Sequence, residues 1–283
     1  MAGGEGLVWL ASYPKSGNTW FRVILANLAA GADGAVTINE APAFSEFAAS
    51  RGRFEAATML DSAFLRDEDI DALRPGIFRH MAQDATGAIW IKVHDAFTCL
   101  PDGQPMLGTS ARAAIYLIRD PRDVAVSFAH FNRSSIDDAI ARLNATTTTL
   151  SGDRLGDSSQ LRQKLLDWSG HVDSWLNQTT VPVLAIRYED LKKDAVAEVT
   201  RALAFAGQEA APADIERAVA NAAFEKLQRQ EMDEGFVEHG PGAAPFFRAG
   251  RAGAWREILS AEQRARIEEA HALMMERFGY ARG

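Results

Sequence analysis

Residues 7–28, LVWLASYPKSGNTWFRVILANL, restrict the possible folds more than any other stretch of the chain. Leu7 to Ala11 is a continuous apolar run of the kind a strand needs when both of its faces are buried. Tyr13-Pro14 ends it, because proline has no N–H to give a ladder. Ser16-Gly17-Asn18 reads as a tight turn, and from Thr19 the spacing of Trp20, Val23, Ile24 and Leu28 predicts an amphipathic helix. A strand, a small-residue loop and a helix N-terminus together make an anion site. Loop N–H groups point outward, the helix dipole favours negative charge, and Lys15, Asn18 and Thr19 can donate to an oxyanion. A plain strand-to-helix turn with a solvated lysine fits the same residues, so the loop alone leaves both readings open.

Charge narrows the ligand. The 283 residues carry a net charge of −8, which argues against a general affinity for nucleic acid or an anionic membrane. An anionic ligand therefore needs a local basic pocket. The single cysteine, Cys99, excludes an internal disulfide and a cysteine-built metal site, and it permits a reducing compartment. The opening MAGGEG has no basic segment of the secretion type, and no run approaches the 18 or so apolar residues of a membrane span. The expectation is a cytoplasmic protein with no nucleic-acid or membrane partner; its oligomeric state is not legible.

Three further apolar runs, 88–93, 113–118 and 181–186, alternate with helical patterns. That alternation predicts a three-layer α/β/α fold with a central parallel sheet, as a single domain over 1–283. Loop plus a short helix is expected over 31–53, and a helix over 66–83 broken at Pro75-Gly76. Residues 132–159 read as a surface loop or mobile lid, and 236–253 as irregular. Helices are expected over 161–178, 195–206 and 213–230. A last helix is opened by the Ser260…Gln263 capping box and stops at Gly279.

Lys15 precedes Gly17, so the loop is not the nucleoside-triphosphate form G-x-x-x-x-G-K-[ST]. PKSGNTW instead resembles the 5′-phosphosulfate loop of sulfotransferases that use 3′-phosphoadenosine 5′-phosphosulfate (PAPS). Residues 116–131, YLIRDPRDVAVSFAHF, are similar to that family's 3′-phosphate motif, an arginine at a strand end followed eight positions later by a serine. Arg119 and Ser127 fall there, and a guanidinium fork plus a hydroxyl suits a phosphate monoester. Arg119 paired with Asp120 or Asp123 in a helix-capping network is the competing reading. Residues 246–255, FFRAGRAGAW, are similar to the R-x-G-x-x-G-x-W segment that closes over the nucleotide, with Arg248, Ala249 and Gly250 in the matching places. Many relatives carry lysine where this chain has Ala249, and Arg251 is the candidate replacement. Trp20 falls where the family stacks an aromatic on adenine. Tyr188 and Phe224 match positions lining the same base. Lys92 and His94, in IKVH, correspond to a lysine and the catalytic histidine of cytosolic members.

The resemblance spans anchors at 7–28, 88–94, 113–131, 182–191 and 246–255, in the family's order. It implies a P-loop nucleotide-hydrolase-like topology and transfer of a sulfuryl group from PAPS to a hydroxyl, or less readily an amine, of a small-molecule acceptor. The product nucleotide is adenosine 3′,5′-bisphosphate (PAP), and no metal is implied. Lys15, Ser16, Gly17, Asn18 and Thr19 would hold the phosphosulfate, Lys92 the sulfuryl oxygens, and His94 would take the acceptor's proton. Arg119, Ser127 and Arg248 would select the 3′-phosphate. The asparagine form of the loop and the modest length look more like bacterial sulfotransferases acting on small molecules or natural products than like Golgi carbohydrate enzymes. Acceptor walls are expected from 32–60, 132–160 and 230–246. Two alternatives stay open from the residues alone, a kinase-like phosphotransferase and a non-catalytic nucleotide-binding module.

Overall fold

The computed structural model describes residues 2–3, 5–151, 159–238, 245–248 and 250–281. Its central sheet is built from β1 (Gly6–Ser12), β2 (Glu46–Phe47), β3 (Ala88–Val93), β4 (Ala111–Ile118) and β5 (Val183–Arg187). All pairings are parallel, in the spatial order β2-β3-β1-β4-β5. β1 lies at the centre, with Leu7 opposite both Ile89 and Ala111. Alternate residues of β1 feed two cores. Leu7, Trp9 and Ala11 join Phe78, Trp168 and Trp175 on one face, while Val8 and Leu10 join Phe21, Ile24 and Leu203 on the other. Burial on both faces is why the run has no polar alternation.

Helices cover both faces. α1 (Asn18–Ala29), Ala195–Phe205 and Pro212–Asn221 supply one layer; α2 (Asp67–Gln83), α3 (Pro121–Asn132) and α5 (Trp168–Leu176) supply most of the other. The expected three-layer fold is what forms. α3 starts as its residues predict, with Pro121 in the first turn and the Asp120 carboxylate accepting from the Arg122 N–H at 2.9 Å.

Several expected boundaries are corrected. α2 runs unbroken through Pro75. An interior proline costs about 3 kcal/mol, but burial of Ile70 and Phe78 contributes roughly 1.5–3 kcal/mol each. Arg74 is also fixed by Asp95 at 2.6 Å. Residues 132–159 are not all loop, because α4 (Ile136–Asn144) opens with a Ser135–Asp138 capping box and buries Ala139, Ile140 and Leu143. Part of the proposed lid, 152–158, lies outside the described residues. The helix expected over 161–178 is only α5. Gln163–Lys164 pairs instead with Thr149–Leu150, Leu166 takes a φ of 61°, and Asp167 caps the helix from there. The 213–230 helix divides into Pro212–Asn221 and α7 (Phe224–Glu234), and the last helix is interrupted at His271. Within 31–53, β2 was not foreseen. It pairs with β3, which gives two residues a conformation their own pattern does not specify.

Candidate active site

The ends of β1, β3, β4 and β5 open into one cavity of about 470 Å³. Ligands in open parallel sheets gather at this edge, where the loops after neighbouring strands diverge. Of the described residues expected in the site, the lining includes all but Ser16, which is buried behind the loop.

The Lys15 loop is tightly constrained. Gly17 has a φ of 100°, and a Cβ there would lie 2.7 Å from the Tyr188 ring. The Asn18 amide faces away from the ligand side, donating to the Leu10 carbonyl at 2.9 Å and approaching Ser12 Oγ at 3.3 Å. Its expected contact with an oxyanion therefore reduces to the backbone, and its side chain ties the loop to the strand end. Gly17 brings no side-chain cap to α1, so the first-turn N–H groups of the helix remain available at the cavity. The Lys15 ammonium lies 4.0 Å from the centre of the Phe131 ring and 3.8 Å from that of Phe246. No oxygen accepts a hydrogen bond from it among the described residues. Burial, then the Arg119 and Lys92 charges, lower its pKa to about 7 against the opposing pull of Glu231. Ser16 Oγ and Arg119 Nε are likewise buried without a hydrogen-bond partner among the described residues. Unsatisfied buried donors around a lysine-bearing loop are what an absent polyanion would leave.

Arg119 does not pair with the neighbouring aspartates. Its guanidinium donates to the Lys15 carbonyl at 3.1 Å and the Arg251 carbonyl at 3.2 Å, and it lies 4.3 Å above the Tyr188 ring. Asp120 is taken by Arg122, while Asp123 accepts from the Gly253 and Trp255 N–H groups at 2.6 and 3.0 Å. Asp123 thus fastens the C-terminal segment over the first two motifs. Arg248 reaches the cavity, and Ala249 lies outside the described residues. Arg251 forms an ion pair with Glu257, so its charge is shared even though it lines the cavity.

An aromatic slot lies beside the loop. Trp20 donates its indole N–H to the Ala222 carbonyl at 2.9 Å, and its ring meets Tyr188 edge-on at 6.1 Å. Lys192 was missed in the sequence. It shares the short helix α6 (Tyr188–Lys193) with Tyr188 at a spacing of four, and its ammonium stands 4.9 Å from the Trp20 ring. Gly250 has a φ of 56°, and a Cβ there would fall 2.3–2.5 Å from Phe224 ring atoms. Gly250→Ala is therefore expected to displace Phe224 and weaken PAP binding about tenfold or more, adding left-handed strain of about 1–2 kcal/mol. Calorimetry with a thermal melt checks this, and unchanged affinity would mean the slot does not depend on that contact.

β3 delivers Lys92 and His94, two residues apart and both to the cavity. His94 Nδ1 bonds the Ser12 carbonyl at 2.9 Å. A carbonyl only accepts, so Nδ1 carries the proton and Nε2 keeps the lone pair. Behind it, His171 donates from Nε2 to the His94 carbonyl at 2.9 Å and accepts at Nδ1 from the Tyr116 hydroxyl at 2.7 Å. Burial, followed by the Lys92 charge, lowers the His94 pKa to about 3, so the ring is neutral at any working pH. Of the segments expected to wall the acceptor, 132–160 and 230–246 contribute Arg142, Leu150, Ser151 and Gln160 and also Pro245 and Phe246 to the cavity lining. The segment 32–60 contributes none of the described lining; its Phe47 ring lies 4.7 Å from the Lys92 ammonium instead.

A central strand feeding a lysine loop and a helix N-terminus, beside an aromatic slot, defines a nucleotide-binding α/β protein. Its family is more specific. The chain belongs to the sulfotransferase family, whose model, described as sulfotransferase domain, matches residues 6–279, and it is an enzyme of that class. Sulfotransferase 1A1 of Canis lupus familiaris is 25% identical over 283 residues, covering 95% of this chain and 83% of the dog protein. Luciferin sulfotransferase of Photinus pyralis is 25% identical over 271 residues, covering 92% of this chain and 69% of its own. Retinol dehydratase in complex with androsterone and inactive cofactor PAP shares the fold at a TM-score of 0.60 and 21% identity, over 95% of this chain and 80% of that one. Mouse sulfotransferase SULT7A1 complexed with PAP does so at 0.55 and 18%, over 96% and 85%. No described helix is long and apolar enough to cross a membrane.

Proposed function

We propose that this chain, working as a single domain in the cytoplasm, transfers a sulfuryl group from PAPS to a hydroxyl, or less readily an amine, of a small-molecule acceptor. One observation carries the reading. Among the described residues the Lys15 ammonium has no hydrogen-bond acceptor, and it shares a cavity with an imidazole whose Nε2 makes no hydrogen bond to them. The PAP named in complexes of related folds supports the donor.

When bound, PAPS supplies an activated sulfuryl group, whose loose in-line transfer asks mainly for positioning and electrostatics. Lys15 and the first-turn N–H groups offset charge on the departing phosphate oxygen. Lys92 steadies the sulfuryl oxygens, and His94 Nε2 takes the acceptor's proton. Arg119, Ser127 and Arg248 favour a 3′-phosphate, while Trp20, Tyr188, Phe224 and Lys192 hold the base. Phe128, Phe131, Phe246 and Leu150 suit a flat, largely apolar acceptor.

Calorimetry without magnesium is expected to give PAP at least tenfold tighter binding than AMP, since charge-assisted hydrogen bonds contribute roughly 1.5–3 kcal/mol each. Arg119→Ala removes much of that difference. Equal affinities would take PAPS out of the account. A screen of acceptors with labelled donor, read by mass spectrometry for an added sulfate, then identifies the acceptor.

A further inference from the structure

We propose that Glu238 is a positioning residue for sulfuryl transfer, its carboxylate shared between Arg22 and Lys92 so that the Lys92 ammonium is held in place and kept charged in the cavity. The inference rests on the role given to Lys92 above.

A carboxylate is out of place in a cavity suited to a polyanion unless it serves a cation there. Glu238 does so with unusual completeness. Its two oxygens accept from Arg22 Nη2 at 2.9 and 2.7 Å, and Oε2 lies 3.5 Å from Lys92 Nζ. The Arg22 side chain is 4% exposed and is not part of the cavity lining. Its charge cancels that of Glu238 from behind, which leaves the group of three with a net charge of +1, presented to the cavity by Lys92. Against a burial that would raise it, Lys92 and Arg22 hold the Glu238 pKa down to about 2, so the carboxylate is ionised throughout the working range.

Lys92 needs such a partner. Burial lowers its pKa, Glu238 opposes that pull and the Arg22 charge adds to it, and the outcome is about 8. Among the described residues the groups facing it are Lys15 from the loop, Arg22 from α1, His94 just past the end of β3, the Phe47 ring from β2, and Glu238. Glu238 is the only carboxylate in that set. The chain also places it well. Gly235 and Val237 are tied to Asn39, which fixes the end of the segment after α7 just where Glu238 enters the cavity.

The test is Glu238→Gln, which keeps size and an oxygen for Arg22 while removing the charge. Single-turnover transfer is measured from pH 6 to 9.5, with PAP affinity by calorimetry and a thermal melt. Without the carboxylate Lys92 loses its proton at lower pH, so the alkaline fall in rate moves down by about one unit, and the rate at pH 8 drops severalfold to tenfold. Lys15 titrates in both proteins, so the difference between them reports Lys92. PAP lacks the sulfuryl group, and its affinity stays within about threefold. Lys92→Arg combined with Glu238→Gln keeps a permanent charge, so the downward shift of the alkaline limb disappears whatever the absolute rate.

Lys92→Met separates the two readings. If it leaves transfer unchanged, the Lys92 assignment fails and this inference with it. If it slows transfer while Glu238→Gln keeps both rate and pH profile, only the inference about Glu238 is overturned. It is also overturned if Glu238→Gln loses rate, PAP affinity and melting temperature together with no shift of the alkaline limb, since that is a purely structural defect.

Discussion

Lys15→Ala is expected to slow sulfuryl transfer by at least 10²–10³-fold, the range for removing one preorganised charge partner of a departing oxyanion. PAP binding weakens less than the chemistry slows, because the loop and first-turn N–H groups remain. The structure adds a pH signature. In the free protein the Lys15 pKa is lowered to about 7. A bound phosphate raises it, so the complex holds more protons than its parts above pH 7. PAP affinity should then fall as pH rises from about 7 toward 9, with proton uptake on binding. Titrations in buffers of different ionisation enthalpy measure that uptake, and Lys15→Ala should remove most of it. A variant with wild-type turnover, or a wild-type protein that takes up no proton, sinks the assignment of the loop.

The second large effect falls on His94. His94→Ala should slow transfer to a hydroxyl acceptor by roughly 10²–10⁴-fold, the span of a lost general base. PAP affinity should hardly change, since the imidazole is assigned to the acceptor's proton. Because the His94 pKa is depressed to about 3, the ring is already the free base at neutrality and stays so as pH falls. The wild-type single-turnover rate should therefore show no His94-type loss between pH 8 and 5, where an ordinary histidine would titrate. A midpoint near 6.5 that vanishes in the variant would contradict the burial account. A variant as fast as wild type would reduce His94 to a structural role.

Much of the site is readable from residue order alone. β1, its loop and α1 announce themselves because Leu7 to Ala11 is apolar without interruption and Pro14 and Gly17 punctuate the turn into the helix. Arg119 and Ser127 were paired by their resemblance to the family's 3′-phosphate motif, and local pattern marked only the strand end and helix start that carry them, the second by Asp120-Pro121. His94 and Lys92 share a face by simple strand alternation. Other expectations failed where contacts distant in sequence outweighed local pattern. Pro75 does not break its helix because Phe78 packs edge-on against Trp9 and Arg74 is held by Asp95. Trp168, Val172 and Trp175 have helical spacing that extends back to Leu165, yet Asp167 starts the helix later. The Ser135–Asp138 capping box was present in the residues and passed over amid a polar stretch.

The sequence by itself determined the sheet's buried strands, the helices that flank them, and which loops carry lysine, arginine and histidine. Those properties depend on hydrophobic period and on residues with restricted backbones, both of which act over a few positions. Which partner each of those side chains meets was decided only by tertiary structure. The proton on His94 Nδ1 is assigned by the Ser12 carbonyl, 82 residues away in the chain. The Arg22–Glu238 pair joins residues 216 apart, and Asp123 holds the Trp255 N–H across 132. Burial, which sets the Lys15 and His94 pKa values, is likewise a sum over elements that the strand order brings together. No local pattern encodes such distances, because they exist only once β1 is enclosed by β3 and β4 and the C-terminal segment closes over their ends.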